Sequence, residues 1–287
     1  MSHIHRLLLG ILLAAGTASA SEIYVDNLNG RDRDDGLLPV GRQGSSGPVQ
    51  SLARASQIAR FADVIVLKNT GTPYYGSLSL TGRRHSGNQS HPFVVFGNGA
   101  TISGLRSVPP EGWRKEGLRK DGPQLWKLTL TRKGYYQLLR DGRPLPETIP
   151  EEGACPLETL PPGQWVSWRG SLYFRQDGSD SPDLQNFAVT ADQTGISLHK
   201  VSYVLIVDVK VEHFRFDGIH AQGLCEHVEL DHVTSIENGR AGVVASGASR
   251  IDIFGGDIAR NGRHQILALD RSTAEQHPAE TEPPSPN

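Results

Sequence analysis

The sequence predicts an all-β protein and, within that class, a right-handed parallel β-helix. Two observations lead to this fold class. The 287 residues include 32 Gly and 18 Pro, an excess over average usage that indicates many turns. A repeat of 23 to 24 residues also runs through the last third of the chain, in two independent columns of aliphatic residues. That period, with three short strands per repeat, is what one rung of a right-handed parallel β-helix requires.

Residues 1–20 are predicted to be a signal peptide. They combine a basic start at Arg6, an apolar run over 7–15 and the small-x-small sequence Ala18-Ser19-Ala20. The apolar run is too short for a membrane span, and no later stretch of the sequence reaches that length. We therefore expect a secreted or periplasmic protein with no membrane span, whose mature chain begins at Ser21.

Residues 21–104 are expected to form an N-terminal cap and the first rungs. A helix is predicted over 53–60, because Ser51 can cap it and Leu52, Ala59 and Ala55 or Ser56 share one face. Strand patterns surround this helix at 22–26, 63–67, 77–80, 93–96 and 100–102.

The repeat stops over 105–192, which is expected to be an inserted antiparallel β module. Strand patterns such as 125–130 and 171–174 alternate there with Pro-Gly turns. The four tryptophans lie in this segment, and we expect its aromatic residues mainly to form its own core. Trp165 and Trp168 are the candidates for stacking on a sugar.

Residues 193–271 carry the repeat. Two aliphatic columns keep the same register, and Asn238 and Asn261 fall in line at a turn, where we expect a short Asn ladder with a structural role. The columns are Ile196, Ile219, Val243 and Ile266, then Val204, Val228 and Ile251.

The C-terminal stretch 272–287 is rich in Pro and Glu and is expected to be a disordered tail. No helix or further strand set is predicted after the last rung, 251–269, so its strand edges would be exposed. We expect either that this end pairs with another copy or that the chain is shortened from a longer ancestor. Arg260, Arg263 and His264 would help to keep the last rung soluble.

The charge balance argues against a nucleic-acid-binding protein. The chain has 29 basic and 31 acidic residues, so the basic surface typical of a nucleic-acid-binding protein is missing.

The sequence contains two cysteines, Cys155 and Cys225. They either remain free thiols or close a long disulfide loop, and both states stay open because the spacing alone does not show that the two side chains meet.

A resemblance to known proteins rests on several motifs. Tyr24-Val25-Asp26, the turn Asn29-Gly30-Arg31-Asp32 and the Ser51-Leu52 helix start resemble the beginning of secreted right-handed β-helix proteins of the pectate-lyase-like superfamily. The segments 139–146, 160–165 and 172–175 resemble inserts of β-helix glycoside hydrolases. This resemblance implies a polysaccharide lyase or glycosidase, and it covers about residues 22–271.

The sequence also departs from that superfamily. It lacks the Asp-Pro-His-Glu run of mannuronan epimerases and the Asn-Thr-Asp, Asp-Asp and Gly-His-Gly motifs of polygalacturonases. Only about four rungs follow the insert. The competing hypothesis is therefore a non-catalytic surface or matrix protein, possibly a truncated relative of such enzymes.

Candidate site residues concentrate between 208 and 240. A glycosidase needs two carboxyl groups about 5 to 10 Å apart, and the rung register places Asp208 near Asp231 and Asp217 near Glu237. A lyase needs a base and a cation that neutralises a uronate. The catalytic candidates are Asp217, His220, Asp208, His213, Asp231, His232 and Glu237, and the substrate-binding candidates are Lys210, Arg215, Arg240, Trp165 and Trp168.

No cofactor is predicted. A Ca²⁺ or other metal site among Asp208, Asp217 and His232 stays open, although no tight ligand spacing supports it. The expected partner is an extracellular polysaccharide, and nucleic acid is not expected.

Overall fold

The structure is a computed structural model that describes residues 20–42, 44–117, 124–132, 134–151, 155–178 and 184–278. The predicted signal peptide, apart from Ala20, lies outside these described residues, as does the end of the predicted tail. Within the described residues, no helix is long and apolar enough to cross a membrane.

The N-terminal part contains one α-helix among strands. Helix α1 spans Leu52–Ile58, and the strands are β1 Glu22–Val25, β2 Val64–Leu67, β3 Tyr74–Tyr75, β4 Leu78–Thr81 and β5 Phe93–Ser103, with a 3₁₀ turn at Arg83–His85. The Ser51 hydroxyl accepts a hydrogen bond from the Arg54 amide at 3.1 Å, as expected of an N-cap. The predicted helix start is therefore confirmed. The patterns at 93–96 and 100–102 belong to one strand, interrupted by a register shift against its partner.

Antiparallel strands occupy the chain between β5 and residue 190. They are β6 Leu105–Val108, β7 Arg114–Glu116, β8 Leu125–Thr129, β9 Leu138–Arg140, β10 Arg143–Pro144, β11 Trp165–Trp168, β12 Ser171–Arg175 and β13 Phe187–Thr190, with a 3₁₀ turn at Pro110–Gly112. They form two four-stranded sheets, in the orders β10-β9-β13-β6 and β11-β12-β8-β7. We call this segment the insert. Its cores are built from its own aromatic and aliphatic side chains, including Trp113, Trp165 and Phe187.

The C-terminal part returns to short strands. They are β14 Thr194–His199, β15 Ser202–Glu212, β16 Asp217–Gln222, β17 Glu226–Asp231, β18 Thr234–Ile236, β19 Ala241–Ala245, β20 Arg250–Phe254, β21 Asp257–Ala259, β22 His264–Ala268 and β23 Thr273–His277.

These strands stack on the N-terminal ones in two parallel sheets. The first runs β1-β2-β5-β15-β17-β20-β23, and the second runs β4-β14-β16-β19-β22. After the insert, each strand pairs with the strand one repeat later, so the chain winds through both sheets once per rung. The molecule is all-β with parallel sheets, an architecture compatible with a β-helix-like fold.

The predicted repeat register is confirmed. Ile219 pairs with Ile196 and Val243, and Val228 pairs with Val204 and Ile251. These side chains are buried and form one continuous core along the stack, because equal positions of successive rungs lie above one another. The Asn ladder is confirmed too, since the Asn238 side-chain amide donates to the Asn261 carbonyl oxygen at 3.0 Å.

The predicted tail needs a correction. Residues 273–277 form strand β23, which pairs in parallel with β20, and Ala274 packs against the core. The absence of apolar residues misled the prediction, because this strand gains backbone hydrogen bonds at a sheet edge and needs only one small inward side chain. The rest of the predicted tail, 279–287, lies outside the described residues.

Both cysteines are free thiols. Cys155 is exposed in the insert and Cys225 is buried in the core of the stack. The disulfide alternative is therefore excluded in this structure.

Candidate functional site

The candidate site lies where the insert packs on the turns of two successive rungs. These turns are 213–216, between β15 and β16, and 237–240, between β18 and β19. The Tyr135 ring packs edge-on against Phe216 at 5.5 Å between centroids. The Tyr135 carbonyl lies so close to Gly239 that a Cβ there would come within 2.4 Å of it. We call this contact region the junction.

His213 is the centre of the first cluster at the junction. Its Nε2 lies 3.3 Å from Glu237 Oε2, and its Nδ1 lies 3.4 Å from Oε1 of Gln137 in the insert. Ligand atoms of Glu212, His213 and Glu237 all lie within 4.8 Å of one another. Two glutamates thus flank one imidazole.

Charged neighbours fix the two glutamates in place. Lys210 Nζ lies 2.7 Å from Glu212, and Arg260 Nε lies 3.4 Å from Glu237. The Glu212 side chain is 13% exposed and that of Glu237 is 30% exposed. Burial lowers the pKa of His213, and the two glutamates only partly oppose this effect, so the imidazole is neutral at neutral pH.

Asp217 organises the second cluster. Arg240 holds its carboxylate with two hydrogen bonds, from Nε to Oδ1 at 2.8 Å and from Nη2 to Oδ2 at 2.5 Å. His220 Nδ1 lies 3.4 Å from Oδ2. The Asp217 side chain is only 2% exposed. Its burial alone would raise its pKa, but the hydrogen bonds from His220 and Arg240 outweigh burial and hold the pKa below its ordinary value.

The second cluster extends to a residue that the sequence did not indicate. His220 Nε2 lies 3.0 Å from the Ser246 hydroxyl, which comes directly after β19. Ala221 and Ala245 are register partners, so Ser246 stands one position beyond the pair and within reach of His220. A serine at the end of a strand carries no sequence signal of its own; only the rung register could have placed it next to His220.

Glu212 and Tyr135 were also missed. The sequence did contain a signal for Glu212. It directly precedes His213, and the rung register stacks Glu237 on His213, so all three residues could have been expected to lie together. Tyr135 reaches the site through the docking of the insert, which no local pattern encodes.

The predicted carboxylate pairs are not the ones that the structure joins. Asp217 binds Arg240 and His220, whereas Glu237 binds His213 and Arg260. The rung register accounts for two other contacts, because His213 meets Glu237 of the next rung and His220 is the register partner of Val244.

Asp208, Asp231 and His232 lie outside both clusters. Asp231 is 5% exposed, its Oδ1 lies 2.6 Å from His232 Nδ1, and its Oδ2 has no hydrogen-bond partner among the described residues. Asp208 is exposed within β15, His232 comes directly after β17, and both residues have positive φ.

The predicted metal triad of Asp208, Asp217 and His232 does not assemble, because Asp217 is held by Arg240 and His232 by Asp231. Two other groups bring three ligand atoms together among the described residues: Glu212, His213 and Glu237, and Asp252, Glu275 and His277. Each includes an imidazole, so each suits a transition metal such as Zn²⁺ better than Ca²⁺.

The predicted substrate-binding residues differ in how far a substrate could reach their side chains. Arg215 is 2% exposed, and its Nε donates to the Ala191 carbonyl at 2.8 Å. Trp165 is 2% exposed, and its ring nitrogen donates to the Leu145 carbonyl at 3.0 Å. Both are structural in this arrangement. Trp168 packs in the insert with Arg169 over its ring, and Lys210 and Arg240 are partly exposed.

Comparisons with known proteins agree at the level of the fold. No protein-family model matches the sequence. No curated protein matches it either. A solved structure named "Glycoside hydrolase" superposes with a TM-score of 0.57 at 12% identity, covering 87% of this chain and 67% of that one. At such identity the likeness extends to the fold alone.

Two further solved structures are similar over part of their length. One is a complex of XylC with xylose, with a TM-score of 0.47, 9% identity and 89% of this chain matched to 64% of that one. The other is a GH136 lacto-N-biosidase from Eubacterium ramulus, with a TM-score of 0.42, 10% identity and 89% of this chain matched to 41% of that one.

Proposed function

We propose that this is an exported right-handed parallel β-helix protein of pectate-lyase-like type that binds and hydrolyses a polysaccharide at the junction. The right hand is supported by the general rule that crossovers between parallel strands of one sheet are right-handed. Export is supported by the signal-peptide pattern of residues 1–20.

The observation that carries the proposal is the approach of Glu212 and Glu237. Their ligand atoms lie within 4.8 Å of each other. Glycosidases that retain configuration use two carboxyl groups about 5 to 5.5 Å apart, whereas inverting enzymes need about 6.5 to 9.5 Å. The spacing therefore favours a retaining mechanism.

The two glutamates have different neighbours, which suggests their roles. Lys210 fixes Glu212, and we assign Glu212 as the nucleophile that attacks the anomeric carbon. Glu237 contacts His213, which can exchange a proton with it, so we assign Glu237 as the acid and then the base. This mechanism uses no cofactor.

The ion pairs of Lys210 and Arg240 favour hydrolysis over lyase chemistry. A lyase needs a cation free to neutralise a uronate carboxylate. Lys210 is paired with Glu212 at 2.7 Å, and Arg240 is paired with Asp217 through two hydrogen bonds. Both cations are therefore engaged with the protein's own carboxylates.

The second candidate is a non-catalytic interaction protein. It is favoured by the internal partners of the titratable groups at the junction, because such networks also occur as purely structural features. On this alternative the glutamates stabilise the docking of the insert, and their removal would lower stability without any enzymatic change.

The test is a glycan array followed by product assays on the glycans that bind. We expect reducing ends to be released without unsaturated uronate. Glu212→Gln and Glu237→Gln should each lower the rate by at least about 100-fold while the protein remains folded. Glu226→Gln is the matched control, since Glu226 is exposed on β17. Glycan binding without products would leave the interaction protein as the function, and wild-type activity in both Glu212→Gln and Glu237→Gln would overturn the assignment of these two glutamates.

A further inference from the structure

Three side chains form a continuous chain of contacts on the outside of the second parallel sheet. Asp217 Oδ2 lies 3.4 Å from His220 Nδ1, and His220 Nε2 lies 3.0 Å from Ser246 Oγ. One imidazole thus joins a carboxylate on one side to a hydroxyl on the other. This order of groups is that of an activated serine nucleophile.

We propose that Ser246, His220 and Asp217 form an acyl-transfer site that hydrolyses a carboxylic ester. Asp217 accepts the Nδ1 proton of His220 and fixes this tautomer, which is assigned from the contacts. Nε2 can then accept the Ser246 proton at 3.0 Å, in place of the longer 3.4 Å contact that this hydroxyl makes with the Ala221 carbonyl. Glu212, Glu237 and His213 take no part in this step.

Burial and exposure are distributed as this chemistry requires. Asp217 is buried, and the doubly bonded Arg240 guanidinium keeps it ionised. The His220 side chain is 19% exposed, and Ser246 is also partly exposed. The orienting carboxylate is therefore shielded from water, while the nucleophile can be reached by a substrate.

A donor for the developing oxyanion lies next to the nucleophile. The Gly247 amide donates to Asp270 Oδ2 at 3.0 Å, so this N–H already binds an anionic oxygen. Amides directly after a nucleophilic serine commonly stabilise the tetrahedral intermediate. The Asp270 carboxylate must move aside when the ester carbonyl binds.

Gly247 is required at this position for steric reasons. It has φ +76°, and a Cβ would lie 2.5 Å from the Gly223 carbonyl oxygen. A glycine therefore lets the chain turn directly after Ser246 and present its amide.

The reaction balances with water as the only co-reactant. Ser246 Oγ bonds to the ester carbonyl carbon while its proton passes to His220 Nε2. The bond between the acyl carbon and the alcohol oxygen then breaks, and His220 returns the proton to the alcohol. Water, deprotonated by His220, releases the carboxylic acid and restores the serine.

The expected substrate is a short acyl ester, such as an acetyl group, on a hydroxyl of an extended polymer. The site lies on the outer face of the sheet, where a polymer can pass across the rungs. That the polymer is a polysaccharide rests on the function proposed above; the ester chemistry does not depend on it.

The test uses a fluorophosphonate probe and p-nitrophenyl acetate on the intact protein. We expect one phosphonylation per chain, located at Ser246 by peptide mapping. Ser246→Ala should abolish labelling, and both Ser246→Ala and His220→Asn should lower ester hydrolysis by at least about 100-fold. Ser197→Ala is the matched control. Ser197 lies on β14 as the register partner of His220, on the side of β16 away from β19, and its hydroxyl donates to the Ser79 hydroxyl at 3.1 Å.

The outcomes separate this inference from the function proposed above. Labelling at another residue, or hydrolysis by Ser246→Ala at the wild-type rate, overturns the acyl-transfer site. An unlabelled wild-type protein that hydrolyses no ester overturns it too, whether or not it cleaves a glycan. Labelling of Ser246 without glycan binding supports the esterase and overturns the polysaccharide as its substrate.

Discussion

At the scale of single residues, Asp217 shows how burial and partners compete. The carboxylate is withdrawn from water, which opposes its charge, yet Arg240 and His220 hold it with three contacts. The net effect is a lowered pKa, so the ionised form is the one that the fold stabilises. The acyl-transfer chemistry that we propose for this site therefore rests on a charge that the structure keeps at neutral pH.

We predict that Asp217→Asn lowers the free energy of unfolding at pH 7 by about 3 kcal/mol, because it leaves Arg240 without its partner. A carboxylate with a lowered folded-state pKa contributes stability above its unfolded-state pKa and loses it as the pH falls through the folded-state value. The difference between wild type and variant should therefore be full above about pH 5 and shrink below about pH 4. Urea denaturation across this range measures it, and a difference independent of pH would contradict the assignment.

At the scale of elements, the rungs are held in register by side chains as well as strands. Asn238 is fully buried, its carbonyl oxygen accepts from the Phe214 amide at 3.1 Å, and its amide donates to Asn261. The turn that carries His213 to Asp217 is thus tied to the rung above. The ladder positions the junction.

Asn238→Ala should cost about 2 kcal/mol of stability, since it leaves the buried Phe214 amide without its acceptor. Chemical denaturation gives the value. Asn29→Ala is the control, because Asn29 is exposed and its side-chain amide donates to Asp26 Oδ2 at 3.3 Å. Equal losses in the two variants would show that the ladder adds nothing beyond a surface contact.

The elements also show what could be predicted from the sequence. The inward columns, the Ser51 cap and the Asn ladder follow from a repeat and from local chemistry, and all three are confirmed. The site could be predicted only in part. His213 with Glu237 follows from the register, but Tyr135 and Gln137 arrive through docking of the insert. Arg240 lies one repeat of 23 residues after Asp217, yet the register partner of Asp217 is Ala241, so the choice of Arg240 depends on the turn before β19.

At the scale of the whole molecule, the stack ends in β22 and β23. Strand β23 pairs with β20 and covers the edge nearest the inward Ile251 and Ile253. Among the described residues no strand pairs with its other edge, so the backbone groups there could pair with a second chain. Self-association through this end stays a prediction, and light scattering of the full chain tests it.

Deletion of residues 273–287 should lower the thermal unfolding midpoint and increase aggregation, because it removes β23 from the core edge. Deletion of 279–287 alone is the control and should leave both properties unchanged. In one thermal ramp, circular dichroism measures the unfolding midpoint and light scattering measures aggregation. If both deletions behave like the full chain, β23 does not protect the stack.

Binding and hydrolysis of a polysaccharide at the junction are best tested by a crystal structure of Glu237→Gln with the glycan that binds best on the array. We expect a sugar ring against Tyr135 and Phe216, with its anomeric carbon about 3 to 3.5 Å from a Glu212 oxygen. A glycan bound on another face of the stack, or a sugar at the junction with Glu212 out of reach, would contradict it.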